Sequence, residues 1–405
     1  MPGFDALRLR PFRHVAAAYT INELGNWIGD VALAILVFDQ TRSPLATAAL
    51  FLALRFAPAL LGPPLTTRLE VISPRQILAV LYFSEAAIFG VLAALTHSFS
   101  LPLVLLLSAA DGVLAVVARA LIRSVNATIL GQGPLLRQGN AIINMGVTVG
   151  GAIGPVLAGL LVAASGAGAA LAVDAITFAT VAIIILTAPG LRMTSDLSSG
   201  TMGRLRAGLR ETWTHPTLRR LLIGTAAALL FATVVIPIEV VFAKRTLHTG
   251  DSGYGLLITA WGVGMVVGGL GFAAAGRLKL ATVTSTGIFL ICAGYFGLSA
   301  SPDLLIACVF SAVGGMGNGL WWTAVVTALQ ESVSSSAQSA VMAVLESINQ
   351  LMPAIGYVLG GVVTALGSPR LAYGLAGLGV GVVLLAQLVR PVSALGSHHT
   401  SPDAP

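Results

Sequence analysis

Residues 43–69 read "SPLATAALFLALRFAPALLGPPLTTRL" and residues 252–278 read "SGYGLLITAWGVGMVVGGLGFAAAGRL". Laid over each other without a gap, Gly62 falls on Gly271 and Arg68 on Arg277. Both stretches carry enough apolar residues to cross a bilayer core, which takes about 20. A span that recurs in the same register in the second part of a chain implies an internal repeat. Repeated sets of spans are the sequence pattern of membrane proteins whose two halves rock against each other.

The composition agrees with this reading. Of the 405 residues 56% are hydrophobic and only 9% charged, where soluble proteins carry about 25% charged residues. Mean hydropathy is +0.91. The 46 glycines fit helices packed closely in lipid, where small residues let backbones approach. A window of span length places segments near 14–39, 44–66, 75–96, 100–123, 140–165 and 168–189. They resume near 219–243, 253–275, 280–299, 302–327, 340–366 and 370–390. The expected fold is an all-α integral membrane protein of 12 transmembrane helices in two six-helix halves. The halves are 1–189 and 219–392, with a cytoplasmic linker at 190–218 rich in Arg, Ser and Gly and a disordered cytoplasmic tail at 393–405.

Orientation follows from the basic residues. With the N-terminus in the cytoplasm, nearly all loop Arg and Lys fall on that side, and the opposite side holds only Arg42, Lys244, Arg245 and Arg370. The positive-inside bias then puts both termini in the cytoplasm. Arg8, Arg10 and Arg13 precede the first apolar stretch as in a signal peptide. That stretch is long, contains acids and leads straight into further spans, so it reads as a retained first helix. Cys292 and Cys308 both lie in apolar stretches and read as small packing residues.

Gly146, Gly150 and Gly154 recur every four residues in the fifth segment and are followed by Pro155. They make a smooth face on one helix, beside a residue that bends it.

These features, with "LGNWIGDVALAILVFDQTRSPLA" (24–46), "NAIINMGVTVGGAIGPVLAGLL" (140–161), "LAVDAITFATVAIIIL" (171–186) and "YGLLITAWGVGMVVGGL" (254–270), resemble the major facilitator superfamily. The resemblance is to its branch of bacterial macrolide-efflux and siderophore-export proteins, and it covers nearly the whole chain. It implies a secondary exporter of the bacterial cytoplasmic membrane, in which Gly150, Gly154 and Pro155 belong to an antiporter gating motif. It also implies a central substrate cavity lined by the first, fourth and eleventh spans. The chain departs from the pattern in the loop "GPPLTTRLEVISPRQIL" (62–78), where Glu70 and Arg75 stand in for the usual acid and bases. It departs again at "SAQSAVM" (336–342), which lacks a basic residue, and at Gly25-Asn26, where the branch shows Gly-Asp.

The acids inside the spans carry the mechanism. They are Glu23, Asp30, Glu85, Asp111, Asp174, Glu239 and Glu346, and the bases well inside are Arg55 and Arg119. A charge at the bilayer centre costs between ~3 and ~10 kcal/mol, so each needs a partner, water or a proton. A carboxyl withdrawn from water favours its neutral form, which is what a proton carrier requires. Glu23, Asn26 and Asp30 are spaced i, i+3, i+7 and share a helix face. With the span starting near His14, Glu23 lies roughly 14 Å deep. Proton coupling is assigned to Glu23 and Asp30, then to Asp111 and Glu346, with Arg55 as a partner for Asp30 or Asp111. Asn26, Trp27, Arg55, Asn318, Trp322 and Asn349 are the substrate-contact candidates, since flat rings and amides suit bulky or cationic amphipaths. Arg119 reads as a gate or helix-end anchor, Asp174 as a cap, and Glu239 as an outer-gate partner of Lys244 and Arg245. Glu85 has no assigned role.

No phosphate-binding loop, nucleophile triad or metal-ligand spacing is present in the sequence. The expected protein is not an enzyme, binds no cofactor, metal or nucleic acid, and works as a monomer with a small amphipathic substrate, protons and lipid as its partners. The alternatives at this stage are a lysolipid carrier with lateral access and a transporter-like sensor or scaffold.

Overall fold

In the computed structural model the described residues are 5–69, 73–131, 134–191, 201–274, 279–333 and 335–389. Glu70, Arg277 and the tail 393–405 lie outside them, as does the side chain of Arg68. Regular structure among the described residues is helical throughout. The helices are α1 (Arg10–Thr41), α2 (Pro44–Leu69), α3 (Pro74–Ala94), α4 (Leu101–Leu130), α5 (134–165) and α6 (167–187). They continue with α7 (Thr201–Thr214), α8 (Pro216–Thr246), α9 (Asp251–Ala274) and α10 (Leu280–Ala300). The last three are α11 (Leu304–Glu331), α12 (Ser335–Leu366) and α13 (Pro369–Val389).

Ten stretches among the described residues are long and apolar enough to cross a membrane. One of them, Gln138–Thr187, holds Gly166 at φ 81° and ψ 165°. The backbone there is one that only glycine adopts readily, and it separates α5 from α6. Helix α2 runs for 26 residues, of which Pro44–Phe56 is its described apolar part. With Gln138–Thr187 counted as two helices, and α2 beside them, the described residues hold a helix at each of the twelve places that the hydropathy pattern predicts.

Local chemistry sets the ends. Proline occupies the first turn of α1, α3, α4 and α8, where its missing N–H costs nothing. Arg42 ends α1 in the left-handed region, its N–H donating to the Phe38 carbonyl at 2.7 Å. Gly131, at φ 63°, ends α4. The Asp303 carboxylate caps α11 by accepting from the Ile306 N–H at 2.9 Å. Helix α8 tightens into a 3-10 stretch over Thr233–Ile238, around Pro237, and ends in a π-turn over Phe242–Thr246.

The fold divides into two compact units, one formed by Met1–Ser198 with Pro237–Thr259 and the other by Ser199–Ile236 with Ala260–Pro405. In the first unit α1 packs along α5 and against α6 and α3, while α4 pairs with α2. In the second, α11 lies against α10 and against the part of α9 after Thr259, through glycine-to-backbone contacts. Gly264 faces Ala312, Gly268 faces Met316, and Gly294 faces Gly314. Without a hydrophobic drive between helices in lipid, close backbone approach of this kind is what holds spans together.

Helix α7 falls in the region the composition reads as a linker. It is amphipathic, with Gly208 buried against Ala340 of α12 and Leu209 and Trp213 exposed. The Arg219 guanidinium covers the Trp213 ring at 5.6 Å.

Candidate functional site

Helix α1 presents three faces, and each has a different neighbour. One face carries Thr20, Glu23 and Trp27, each opposite a glycine of α5 one turn further along. A Cβ on Gly146 would sit 2.6 Å from the Thr20 hydroxyl, one on Gly150 3.3 Å from the Glu23 Cβ, and one on Gly154 2.5 Å from the Trp27 Cβ. The glycine stripe read from the sequence is thus the seat of α1. On the other side of the unit, Gly112 of α4 lies against Leu54 and Pro58 of α2, its virtual Cβ 2.6 Å from the Leu54 carbonyl oxygen.

Between these packed pairs lies a cavity of about 140 Å³, lined by Glu23, Asn26, Trp27, Asp30, Arg55, Asp111 and Arg119 among others. The i, i+3, i+7 face of α1 therefore looks into it. Arg55 donates from Nη2 to Asp30 Oδ2 at 3.0 Å, joining α2 to α1 across 25 residues of sequence. Tyr19 lies one helical turn before Glu23 on α1. Asp111 is buried, and its Oδ1 has no hydrogen-bond partner among the described residues.

Arg119 corrects the sequence reading. A segment ending near residue 123 made it a gate or a helix-end anchor; α4 continues to Leu130, which removes the helix-end alternative and leaves the gate. Leu130 is about 16 Å beyond Arg119 at the helical rise. Arg119 lines the same cavity as Glu23 and Asp111.

Residues 2–285 match the family model described as transmembrane secretion effector, and residues 221–404 match the model described as Major Facilitator Superfamily. The chain belongs to the major facilitator superfamily. No curated protein matches its sequence. Solved structures are similar in fold at low identity. The nucleoside transporter NupG aligns at 13% identity and a TM-score of 0.74, over 94% of this chain and 98% of that one. A bacterial homologue of the iron transporter ferroportin aligns at 12% and 0.70, over 93% and 98%. A bacterial homologue of the human lysosomal transporter Spinster aligns at 16% and 0.69, over 95% and 96%. This chain is a multi-pass membrane transporter of the major facilitator type.

The remaining candidates in this major facilitator lie elsewhere. Asn318 and Trp322 of α11 are half-buried, as is Asn349 of α12, all in the second unit. Trp321, beside Trp322 at 6.0 Å between ring centroids, is buried where Gly287 of α10 approaches. Glu346 is exposed and accepts from Gln350 Nε2 at 2.9 Å.

Glu239, half-buried, does not hold the cations expected beside it. Lys244 Nζ reaches Asp39 Oδ2 at 2.6 Å and Asp251 Oδ1 at 2.5 Å. Arg245 donates to the Arg42 carbonyl, and both guanidiniums lie over the Phe38 ring, at 5.2 and 5.9 Å. The end of α8 is so clamped onto the end of α1 and the start of α9. Asp39 and Asp251 were not candidates on sequence. The signal was present, since in the register of the repeat Asp251 falls on Arg42.

The Asp30–Arg55 pair yields a first prediction. Its side chains are 24% and 46% exposed, so screening limits its contribution to about 1 kcal/mol. Arg55→Gln and Asp30→Asn each lower the thermal midpoint of the solubilised protein by a few degrees, and combining them adds little further loss. Fully additive losses in a double-mutant cycle contradict the pairing.

Proposed function

We propose that this major facilitator exports small amphipathic molecules from the bacterial cytoplasm across the inner membrane in exchange for protons. In this reading both termini lie in the cytoplasm and the working unit is a monomer of two halves, 1–189 and 219–392. The observation that carries it is the cavity of the first unit. Three carboxyls, Glu23, Asp30 and Asp111, share about 140 Å³ with two guanidiniums, Arg55 and Arg119, and the Trp27 ring. Acids outnumber bases there, so a cation from outside the protein completes the charge balance. A proton or a cationic substrate serves equally, which is the condition for exchange: one leaves as the other binds.

In this mechanism Glu23 and Asp111 take the proton, and Arg55 pairs with Asp30 until a substrate head competes for it. Trp27 and Asn26 present a ring face and an amide to that head. Drug-sized ligands occupy about 300–1,000 Å³, so this cavity takes the polar or cationic head of an amphipath rather than its whole body. Asn318, Trp322 and Asn349 of the second unit stay substrate-contact candidates and Glu346 a further proton candidate, and Gly150, Gly154, Pro155, Arg119 and Glu239 are assigned to gating. The solved relatives carry names as different as nucleoside transporter, iron transporter homologue and organic anion transporter. Their fold therefore selects no substrate, and the choice rests on the cavity's chemistry.

The test uses inside-out membrane vesicles holding an imposed acidic interior. Accumulation of a lipophilic cation, a macrolide or a siderophore that stops when an uncoupler collapses the gradient supports the reading. Accumulation that is indifferent to the gradient, with every compound in the panel, overturns the proton-exchange claim.

A further inference from the structure

The third face of α1 packs against α6 and α3. Asn22, Gly25 and Gly29 are spaced i, i+3, i+7 and lie about 100° round the helix from the cavity face. A Cβ on Gly25 would meet the Thr177 hydroxyl and the Asp174 carboxylate, and one on Gly29 would meet the same carboxylate and the Phe89 ring. Asp174 of α6 is therefore pressed into a notch that only glycine leaves open. Its position in mid-helix, wholly buried, replaces the cap inferred from sequence.

Helix α3 closes the notch. Tyr82, Glu85 and Phe89 share one of its faces, and the Tyr82 and Phe89 rings lie 6.5 and 5.2 Å from that of Phe178, one turn after Asp174. Glu85, between them, is 0% exposed, as is Asp174. Thr177 donates to Asp174 Oδ1 at 2.8 Å. Asp174 Oδ2 and both Glu85 oxygens have no hydrogen-bond partner among the described residues. A separate observation points the same way. Asn22, 5% exposed on the α1 face that meets α6, also leaves its Oδ1 without a partner.

Two oxygens of Glu85 and one each of Asp174 and Asn22 are thus buried without a hydrogen-bond donor among the described residues. Two ionised carboxylates buried without a counter-charge would cost several kcal/mol each. The charged and titratable groups facing them are Asp111 and Arg119 of α4, Tyr82 of α3 and Asp30 of α1. Arg119 is the one base in that set, and it is shared with Glu23, Asp30 and Asp111.

We infer that Glu85, Asp174 and the Asn22 carbonyl form a buried binding site for one small monovalent cation, a proton or a sodium ion, behind α1. The site is distinct from the cavity and linked to it through Asp111, which lies within Coulombic reach of Asp30, Glu85 and Asp174. A proton neutralises one of the two carboxyls and turns it from an acceptor into a donor. A sodium ion is held by oxygens from all three helices. As a store for the coupling cation, the site rests on the transport reading, whereas the binding itself does not.

The experiment is infrared difference spectroscopy of the full-length protein in lipid, without substrate, comparing sodium-free buffer with sodium or potassium chloride. A neutral-carboxyl band present at neutral pH, unchanged by sodium, and lost in both Glu85→Gln and Asp174→Asn identifies the cation as a proton. A band that sodium removes and potassium does not, again absent from both variants, identifies it as sodium. Wild-type spectra with neither a neutral-carboxyl band nor a sodium response overturn the inference, and that result needs no variant to fold. A band that both variants retain in full overturns it as well. Because no transport is measured, failure of the exporter reading leaves these outcomes intact.

Discussion

Replacing Gly154 with valine is expected to abolish transport and to lower the thermal midpoint of the solubilised protein by several degrees. A Cβ there would stand 2.5 Å from the Cβ of Trp27, an atom fixed to the α1 backbone, so no side-chain rotation relieves the clash. Overpacking of a tight interface costs about 1–3 kcal/mol. Here the strain also falls on the helix that carries Glu23, Asn26 and Asp30. The control is Gly90→Val on α3, where a Cβ meets nothing within 4 Å. Gly90→Val keeps wild-type stability and transport. Equal behaviour of the two variants, by thermal melt and by vesicle transport, would remove the glycine stripe from the account.

Lys244→Met carries the second large effect. Both Asp39 and Asp251 approach the Lys244 ammonium to within 2.6 Å, so removing it leaves two carboxylates with the contacting oxygens no further than about 5 Å apart. At an effective dielectric of 20 their repulsion is about 3 kcal/mol. Solvent reduces this, since Asp39 is 36% exposed while Asp251 is 22% and Lys244 12%. The expected result is a loss of about 1–3 kcal/mol and faster proteolysis of the loop after Thr246. Adding Asp39→Asn to Lys244→Met recovers part of both. If Lys244→Met melts and is cleaved as wild type, the three residues are not a clamp.

Much of this was legible in the chain before any coordinates. Hydropathy alone places the spans, because a lipid-facing helix leaves no room for polar runs. The Gly146-Gly150-Gly154 period marks a helix contact, and the i, i+3, i+7 spacing of Glu23, Asn26 and Asp30 marks a common face. Other features were hidden for physical reasons. Span windows follow hydropathy, so α4 was cut short at its polar end and Arg119 was set closer to a helix end than it lies. Glu85 and Asp174 look like any other intramembrane acids until the notch at Gly25 and Gly29 shows why one of them can be fully buried. The Lys244 clamp joins residues about 200 positions apart, and only the fold brings them together. Helix α7 was lost in composition, because its Arg, Gly and Ser content resembles that of a linker.

The central claim is that the acidic face of α1 couples substrate movement to protons. The direct measurement reconstitutes the purified protein in proteoliposomes holding a pH-sensitive dye, adds substrate, and compares wild type with Glu23→Gln. The account predicts substrate-driven proton flux in wild type and its loss in Glu23→Gln, with the variant's melting curve unchanged. Substrate transport without any proton flux in wild type, or undiminished flux in Glu23→Gln, would contradict it.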